Sequence, residues 1–532
     1  MKWTKHIIPL LCFFYYYQYA ESAKFLGIIF PLKGQVIETQ NLLLGLADRG
    51  HDVYLVIGEH AAAELPEDMV DSKVQLLTFK TRSEGVLAFE NPDIQKTAFM
   101  AFFEDPIEKI IPRKRLASEF MLRKMILTEY TEDMLKDRKF HQRIEDLGID
   151  MVILSNCFSL FPTAYLLPYK HNLRHITLSF APLPISGVPR LPSVIPHPLS
   201  PFSDDMSFLQ RTLNLLICEL VDWIWSTPRI PDRYFTEYLP GKARKTPGDL
   251  ILLSELFVVT EKSAVLDYPQ LTLPNVILAG GLNTRPGKPL TRELQSFMDS
   301  HEEGVIVVSF GSWTTYLPTH VTKKMLEAFS KVMYGVIWRF TGTKPDQVPS
   351  NVKLLKWLPQ NDLLAHPNTK LFISHCGNGG SYDALYHGIP ILGFPFFYDQ
   401  VYNGNRAHNK GMAKIMNIAD FTSEELLNNI KDMIENPTYM TAAKKLSAIY
   451  RDQPVTSQQL TVSWIEHVLK HGGSYLRSPG AGMPWYQYYL VDVFIFLLCI
   501  VITVLILGII CCKCLCKLLS KKVKVLDKIK TN

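Results

Sequence analysis

No Asn-x-Ser/Thr sequon with a permitted middle residue occurs anywhere in the sequence, so N-linked glycosylation is not expected. Cysteine is scarce where a disulfide framework would need it. Of the nine cysteines, Cys499, Cys511, Cys512, Cys514 and Cys516 crowd near the C-terminus and Cys12 lies in the first apolar run, which leaves Cys157, Cys218 and Cys376 for the body. Three thiols exclude a disulfide-built scaffold. A dominant charge is missing as well. The last 20 residues carry seven lysines against Asp527, and removing their +6 and the two lysines of the first 20 residues from the chain's +5 leaves −3 for residues 21–512. The basic balance therefore belongs to one end, and a nucleic-acid surface is excluded.

What the chain has instead is apolar mass. At 532 residues and 47% apolar content it can fill two to four domain cores, and a disordered protein is excluded. Residues 1–23 carry Lys2 and Lys5, the apolar run Ile7 to Tyr17 and then small residues, the layout of a secretory signal peptide cut near Ala20 or Ala23. Residues 493–512 are 20 positions without a charge, between Asp492 and Lys513, and read as a transmembrane helix. Trp485, Tyr486, Tyr488 and Tyr489 stand just before it, where an interfacial aromatic belt would lie. The basic tail, 513–532, is expected in the cytosol, which makes the chain a single-pass type I membrane protein with a lumenal body. Lys528 and Lys530 are fifth and third from the end, the spacing of a dilysine signal for return to the endoplasmic reticulum.

Between these ends the pattern alternates strand and helix, hence α/β. Phe25 to Phe30 reads as a buried strand, Ile37 to Asp48 has helical apolar spacing, and Arg49-Gly50-His51 turns into a strand at Val53 to Ile57. That βαβ unit opens a doubly wound sheet. Helices are expected from Thr81 to Gly148, strands at Asp150 to Leu154 and His175 to Phe180, and an amphipathic helix around Met206 to Trp223 that packs on the core. A second series starts with a strand at Gly304 to Phe310, followed by a helix at Thr319 to Met333 and a strand at Val336 to Phe340. Residues from about Ser423 to His471 read as helical.

The chemistry concentrates in residues 357–406. Lys370 to Ser374 reads as a buried strand that runs into His375-Cys376-Gly377-Asn378-Gly379-Gly380 and then a helix from about Ser381. Strand, Gly-rich turn and helix start gather free N–H groups and a positive dipole end, a place for a diphosphate, with His375 as an added donor. Trp357 and Gln360 suit a stacked planar base and its polar edge. Asp383 can accept from ribose hydroxyls, and Asp399-Gln400, after a strand-like run at Pro390 to Phe394, suits the hydroxyls of a hexose.

The order and spacing of these residues resemble the signature of UDP-glycosyltransferases, the membrane-bound family that includes animal UDP-glucuronosyltransferases. Ser193 to Asn214 and the passage from Tyr268-Pro269 to Gly281 resemble segments of the animal family. The resemblance implies a GT-B fold, two Rossmann-like domains facing across a cleft: residues 24–282 bind acceptor, 283–471 bind the UDP-sugar with a last helix that crosses back, and 472–492 link to the membrane helix. It places Ser312, beside Gly311, near the phosphates. It implies inverting transfer of a hexose, glucuronic acid or glucose, from a UDP-sugar co-substrate to a small lipophilic acceptor, with no metal, no further cofactor and a homo- or hetero-oligomer.

The resemblance also marks a loss. The family's base is a histidine fourteen residues before the arginine of R-G-H, and counting back from Arg49 gives Gln35. No histidine lies between His6 and His51. The orienting acid falls five residues after Asp150, which is Ser155. Neither Gln nor Ser acts as a base near pH 7 without an activating partner. Two readings follow: a transferase that recruits another residue or uses acceptors needing little help, such as amines, or a catalytically weak UDP-sugar-binding paralogue acting as a partner subunit.

Overall fold

The computed structural model describes residues 22–29, 33–63, 65, 70–82, 129–156, 162–179, 184–189, 191–226, 230–311, 314, 316–396 and 399–530. The expected signal peptide up to residue 21, most of the expected helical region between 81 and 148, Cys157 and Ser312 lie outside these residues.

Two parallel sheets organise residues up to Arg477. The first has seven strands in the order β3-β2-β1-β4-β5-β6-β7: β1 Lys24–Ile28, β2 Asp52–Gly58, β3 Gln75–Phe79, β4 Met151–Asn156, β5 Arg174–Ser179, β6 Phe257–Val259 and β7 Val276–Leu278. The second has six in the order β10-β9-β8-β11-β12-β13: β8 Val305–Ser309, β9 Gly335–Arg339, β10 Val352–Leu355, β11 Thr369–Ser374, β12 Ile391–Gly393 and β13 Ala413–Ile415. Side chains alternate across each strand, so a strand buried on both faces feeds two cores. Phe25 of β1 joins one apolar cluster, while Leu26 and Ile28 join the other. Val305 and Val307 of β8 likewise part from Ile306 and Val308. Helices on both faces close these four clusters, which is the doubly wound arrangement.

In such a sheet, ligands bind beyond the strand C-termini where the strand order reverses. The first sheet reverses between β1 and β4, with Ile28 paired to Leu154. The second reverses between β8 and β11, with Ser309 paired to Ser374. Helices used below are α1 (Lys33–Ala47), α2 (Phe208–Ser226), α3 (Asn378–His387), α4 (Gln400–Asn409), α5 (Ser457–His471) and α6 (Val491–Lys530).

Helix α5 lies on the first sheet although it follows the second in sequence. A capping box starts it: the Thr456 hydroxyl accepts from Gln459 N–H, and the Gln459 side chain accepts from Thr456 N–H. Val462, Ile465 and Val468 then share a cluster with Phe25, Leu42 and Leu43. Glu466 accepts from Arg49 at 2.5 Å, and Arg174 donates to the Leu469 carbonyl at 2.8 Å.

Two expectations change here. Helix α2 does not bury its apolar pattern: Phe208, Leu209, Leu213, Leu216 and Leu220 are exposed, and Asn214 ties the helix down by donating to the Pro192 and Ile195 carbonyls at 2.8 and 3.0 Å. Residues 478–532 form a separate unit, and within it α6 runs past Cys512 to Lys530. After Gly508 no glycine or proline interrupts it, and Lys and Leu sustain a helix well. Val491–Ser520 is long and apolar enough to cross a membrane.

Candidate functional site

Strand β11 delivers its C-terminal end straight to His375, and Cys376 turns the chain at φ 62, a left-handed conformation that side chains rarely adopt. Gly377 then caps α3, whose first bond runs from Ser381 N–H to the Gly377 carbonyl at 3.0 Å. The helix starts three residues before the expected Ser381, so Gly379 and Gly380 form its first turn. The N–H groups of Asn378, Gly379 and Gly380 are left without helical partners at the positive dipole end. The His375 imidazole is wedged between the turns that end β8 and β11. A Cβ on Gly311 would stand 2.5 Å from its Nε2, and one on Gly377 would stand 2.3 Å away. Burial, reinforced by the Arg339 charge, pushes His375 down to about 4, so the ring is neutral near pH 7.

Beside this cradle, the Gln360 amide donates to Asp383 Oδ2 at 2.8 Å. Burial raises Asp383 to about 6, with Gln360 and Arg285 opposing the rise. Trp357 leaves 44% of its surface open, and the Arg339 guanidinium sits 5.8 Å from its ring centroid. Trp357, Gln360 and Asp383 thus line one flank of the helix start. On the other flank, Asp399 precedes α4 and accepts from Asn403 Nδ2 at 2.5 Å. Gln400 is buried, and its carbonyl oxygen accepts from Phe396 N–H at 2.8 Å, so that oxygen braces the loop.

Across the cleft, the β1/β4 pairing brings Ser155 against the chain that follows β1. The Ser155 hydroxyl donates to Gln35 Oε1, so two positions 120 residues apart form one contact. The other end of the Gln35 amide faces Glu38 Oε2 at 3.4 Å. Glu38 is 9% exposed, and burial raises it to about 7 although the neighbouring Thr260 side chain opposes the rise. Next to Thr260, Glu261 is half-buried and well above the usual carboxylate range, through burial first and then the charges of Asp399 and Glu38. Three acidic groups from two domains therefore converge where the Asp399 flank meets the Gln35 side. The sequence signal for Glu38 was its i+3 spacing from Gln35 on one helix face; nothing local marks Glu261.

The positive charges nearby are tied up. Arg406 of α4 is fully buried, donates to Asp267 Oδ2 at 2.6 Å and to the Glu261 carbonyl at 2.8 Å, and reaches Asn378 Oδ1 at 3.0 Å. Lys262 donates to Tyr402 Oη at 2.8 Å and lies 3.4 Å from Asp267, and Tyr402 Oη donates to Asp267 at 3.0 Å. Opposing carboxylate and cation hold each other charged: Asp267 is lowered despite burial, by Arg406 and Lys262. This cluster pins the loop after β6 to α3 and α4, and it sets the backbone that carries Glu261.

The paired parallel sheets with a phosphate-type cradle on one and a facing polar cluster on the other define a GT-B glycosyltransferase fold. Solved structures agree on the fold. A glycosyltransferase of kitacinnamycin superposes with a TM-score of 0.57 at 16% identity, covering 84% of this chain and 99% of that one. A UDP-glucose:anthocyanidin 3-O-glucosyltransferase in complex with UDP superposes with a TM-score of 0.56 at 15% identity, covering 85% of this chain and all of that one. Human UDP-glucuronosyltransferase 1A10 is 30% identical over 100% of this chain and 99% of its own length, and mouse UDP-glucuronosyltransferase 1A1 is 29% identical over 97% and 96%. The family model described as UDP-glucoronosyl and UDP-glucosyl transferase matches residues 28–525, and the chain belongs to that family of glycosyltransferases.

Proposed function

We propose that the protein transfers a neutral hexose, glucose before glucuronic acid, from a UDP-sugar to a small lipophilic acceptor with inversion. The observation that carries this is the single row of groups around the α3 N-terminus: Trp357, Gln360 and Asp383 for the nucleoside, the Gly377–Gly380 cradle with His375 for the diphosphate, and Asp399 for the sugar. The preference for a neutral sugar rests on charge. A hexuronate carboxylate would enter beside Asp399, Glu261 and Glu38, with Arg406 and Lys262 already bound to Asp267. A fourth acidic group there lacks a cation and is disfavoured.

The membrane helix, basic tail and dilysine-like end support residence in the endoplasmic reticulum membrane with a lumenal body, and the uncovered apolar face of α2 supports membrane or lipophilic-acceptor contact. The test uses full-length protein in microsomes with labelled UDP-glucose, UDP-glucuronic acid and UDP-N-acetylglucosamine against phenol and amine acceptors. Transfer from UDP-glucose is expected, with UDP-glucuronic acid at least about tenfold weaker, a difference of about 1.4 kcal/mol. UDP binding without transfer from any donor would favour the partner-subunit reading. Replacing Glu261 by arginine (E261R) is expected to narrow the gap between the two donors, measured as the ratio of their kcat/KM values. Gln35→His, which puts an imidazole between Ser155 and Glu38, is expected to raise transfer to hydroxyl acceptors.

A further inference from the structure

We infer that Glu38, one helical turn beyond Gln35, takes the proton from the acceptor hydroxyl. The inference rests on the transfer reading above and names the group that the Gln35 and Ser155 positions lack. Three observations carry it. The Gln35 amide is spent bridging: its oxygen accepts from Ser155 and its nitrogen faces Glu38 Oε2 at 3.4 Å, so the carboxylate lies within hydrogen-bond distance of the end of that side chain. Glu38 is fixed on α1 at the β1/β4 reversal, the place where the first sheet presents groups to a ligand. It also lies toward the sugar flank, where its carboxyl neighbours Glu261.

The other two acids fit the role less well. Asp399 belongs to the donor side and is bound by Asn403, while the Glu261 backbone carbonyl is held by Arg406 and Tyr382. Glu261 is also held well above the usual carboxylate range, chiefly by its own burial. The groups that bear on Glu38 are Gln35 on its own helix, Thr260 and Glu261 on the loop after β6, and Asp399 and Arg406 behind Glu261. A carboxyl raised to about 7 by burial is matched to proton uptake near neutral pH. In the step, the acceptor oxygen forms a bond to the anomeric carbon as the bond from that carbon to the diphosphate oxygen breaks. UDP leaves with that electron pair, and the hydroxyl proton passes to Glu38 and later to solvent.

The test compares wild type, Glu38→Gln and Glu38→Asp in microsomes, with UDP-glucose, one phenol and one aromatic amine, across pH 5.5–9. Glu38→Gln is expected to lower kcat for the phenol roughly 100–1,000-fold, leave UDP affinity within about twofold and affect the amine much less, because an amine attacks through its lone pair. The wild-type phenol rate is expected to fall below about pH 7 as Glu38 gains a proton, and this limb disappears in the Glu38→Gln residual rate. Glu38→Asp keeps a carboxylate and is expected to recover part of the rate. Phenol transfer by Glu38→Gln at the wild-type rate and pH profile overturns the inference alone. Loss of UDP binding together with transfer also overturns it, by showing a structural role. Absence of transfer by wild type with UDP bound defeats the transfer reading itself.

Discussion

Asp267→Asn is expected to lower the unfolding free energy by about 3–5 kcal/mol, because it leaves Arg406 and Lys262 as buried cations without a counter-charge. Both members of the Arg406–Asp267 pair are nearly inaccessible to water, and the pair distance is 2.6 Å. Desolvating two ions is costly, and hydrogen bonds from Tyr402 and Tyr382 to Asp267 and from Arg406 to the Glu261 carbonyl offset part of that cost. Asparagine keeps the shape and loses the charge, so the effect reports electrostatics rather than a cavity. Scanning fluorimetry at a fixed heating rate should show Tm falling by about 3–5 °C. A second measurement separates stability from binding. If the cluster positions Glu261 and Asn378 for the sugar, Asp267→Asn near 20 °C, where it is still folded, should also show weaker UDP-sugar binding. A Tm within 1–2 °C of wild type would mean that the cations find another partner or leave the interior.

His375→Ala is expected to weaken UDP binding roughly 10–100-fold, the loss of one hydrogen bond to a charged group at about 1.5–3 kcal/mol. The neutral ring contributes as a donor and as a wedge. With it gone, the turns at Gly311 and Gly377 lose the body that holds them apart, and the backbone N–H groups of α3 lose part of their preorganisation. Because the ring titrates near 4, its contribution should be flat from pH 6 to 8, in contrast to the dependence expected of a charged histidine. Isothermal titration with UDP measures both effects. Unchanged affinity would move the phosphates away from this cradle.

Much of this was legible because it is local. The run from Lys370 to Gly380 announces a strand, a turn and a helix start, and only the helix start differs, since two glycines that look like a turn serve as the first helical turn. The spacing from Gln35 to Arg49 and from Asp150 to Ser155 names two positions that the β1/β4 register brings into contact. Long-range charge pairing was not legible. Asp267 and Arg406 are 139 residues apart, and neither neighbourhood says that the other will neutralise it. Glu38 reads as one more polar residue in a helix until its burial and the company of Glu261 are known. Helix α2 shows the opposite limit: an amphipathic pattern states that a face is apolar and not what covers it.

The placement of α5 has a consequence for how the chain can be divided. Residues 24–282 contain every strand of the first sheet, yet a fragment ending there would lack Val462, Ile465 and Val468 and present Phe25, Leu42 and Leu43 to water. Burying side chains of this kind contributes about 1.5–3 kcal/mol each. The half built on the first sheet is thus finished by residues near the end of the folded body, and until Ser457–His471 has been synthesised it is an open core. Folding of the two halves is interlaced in time as well as in space.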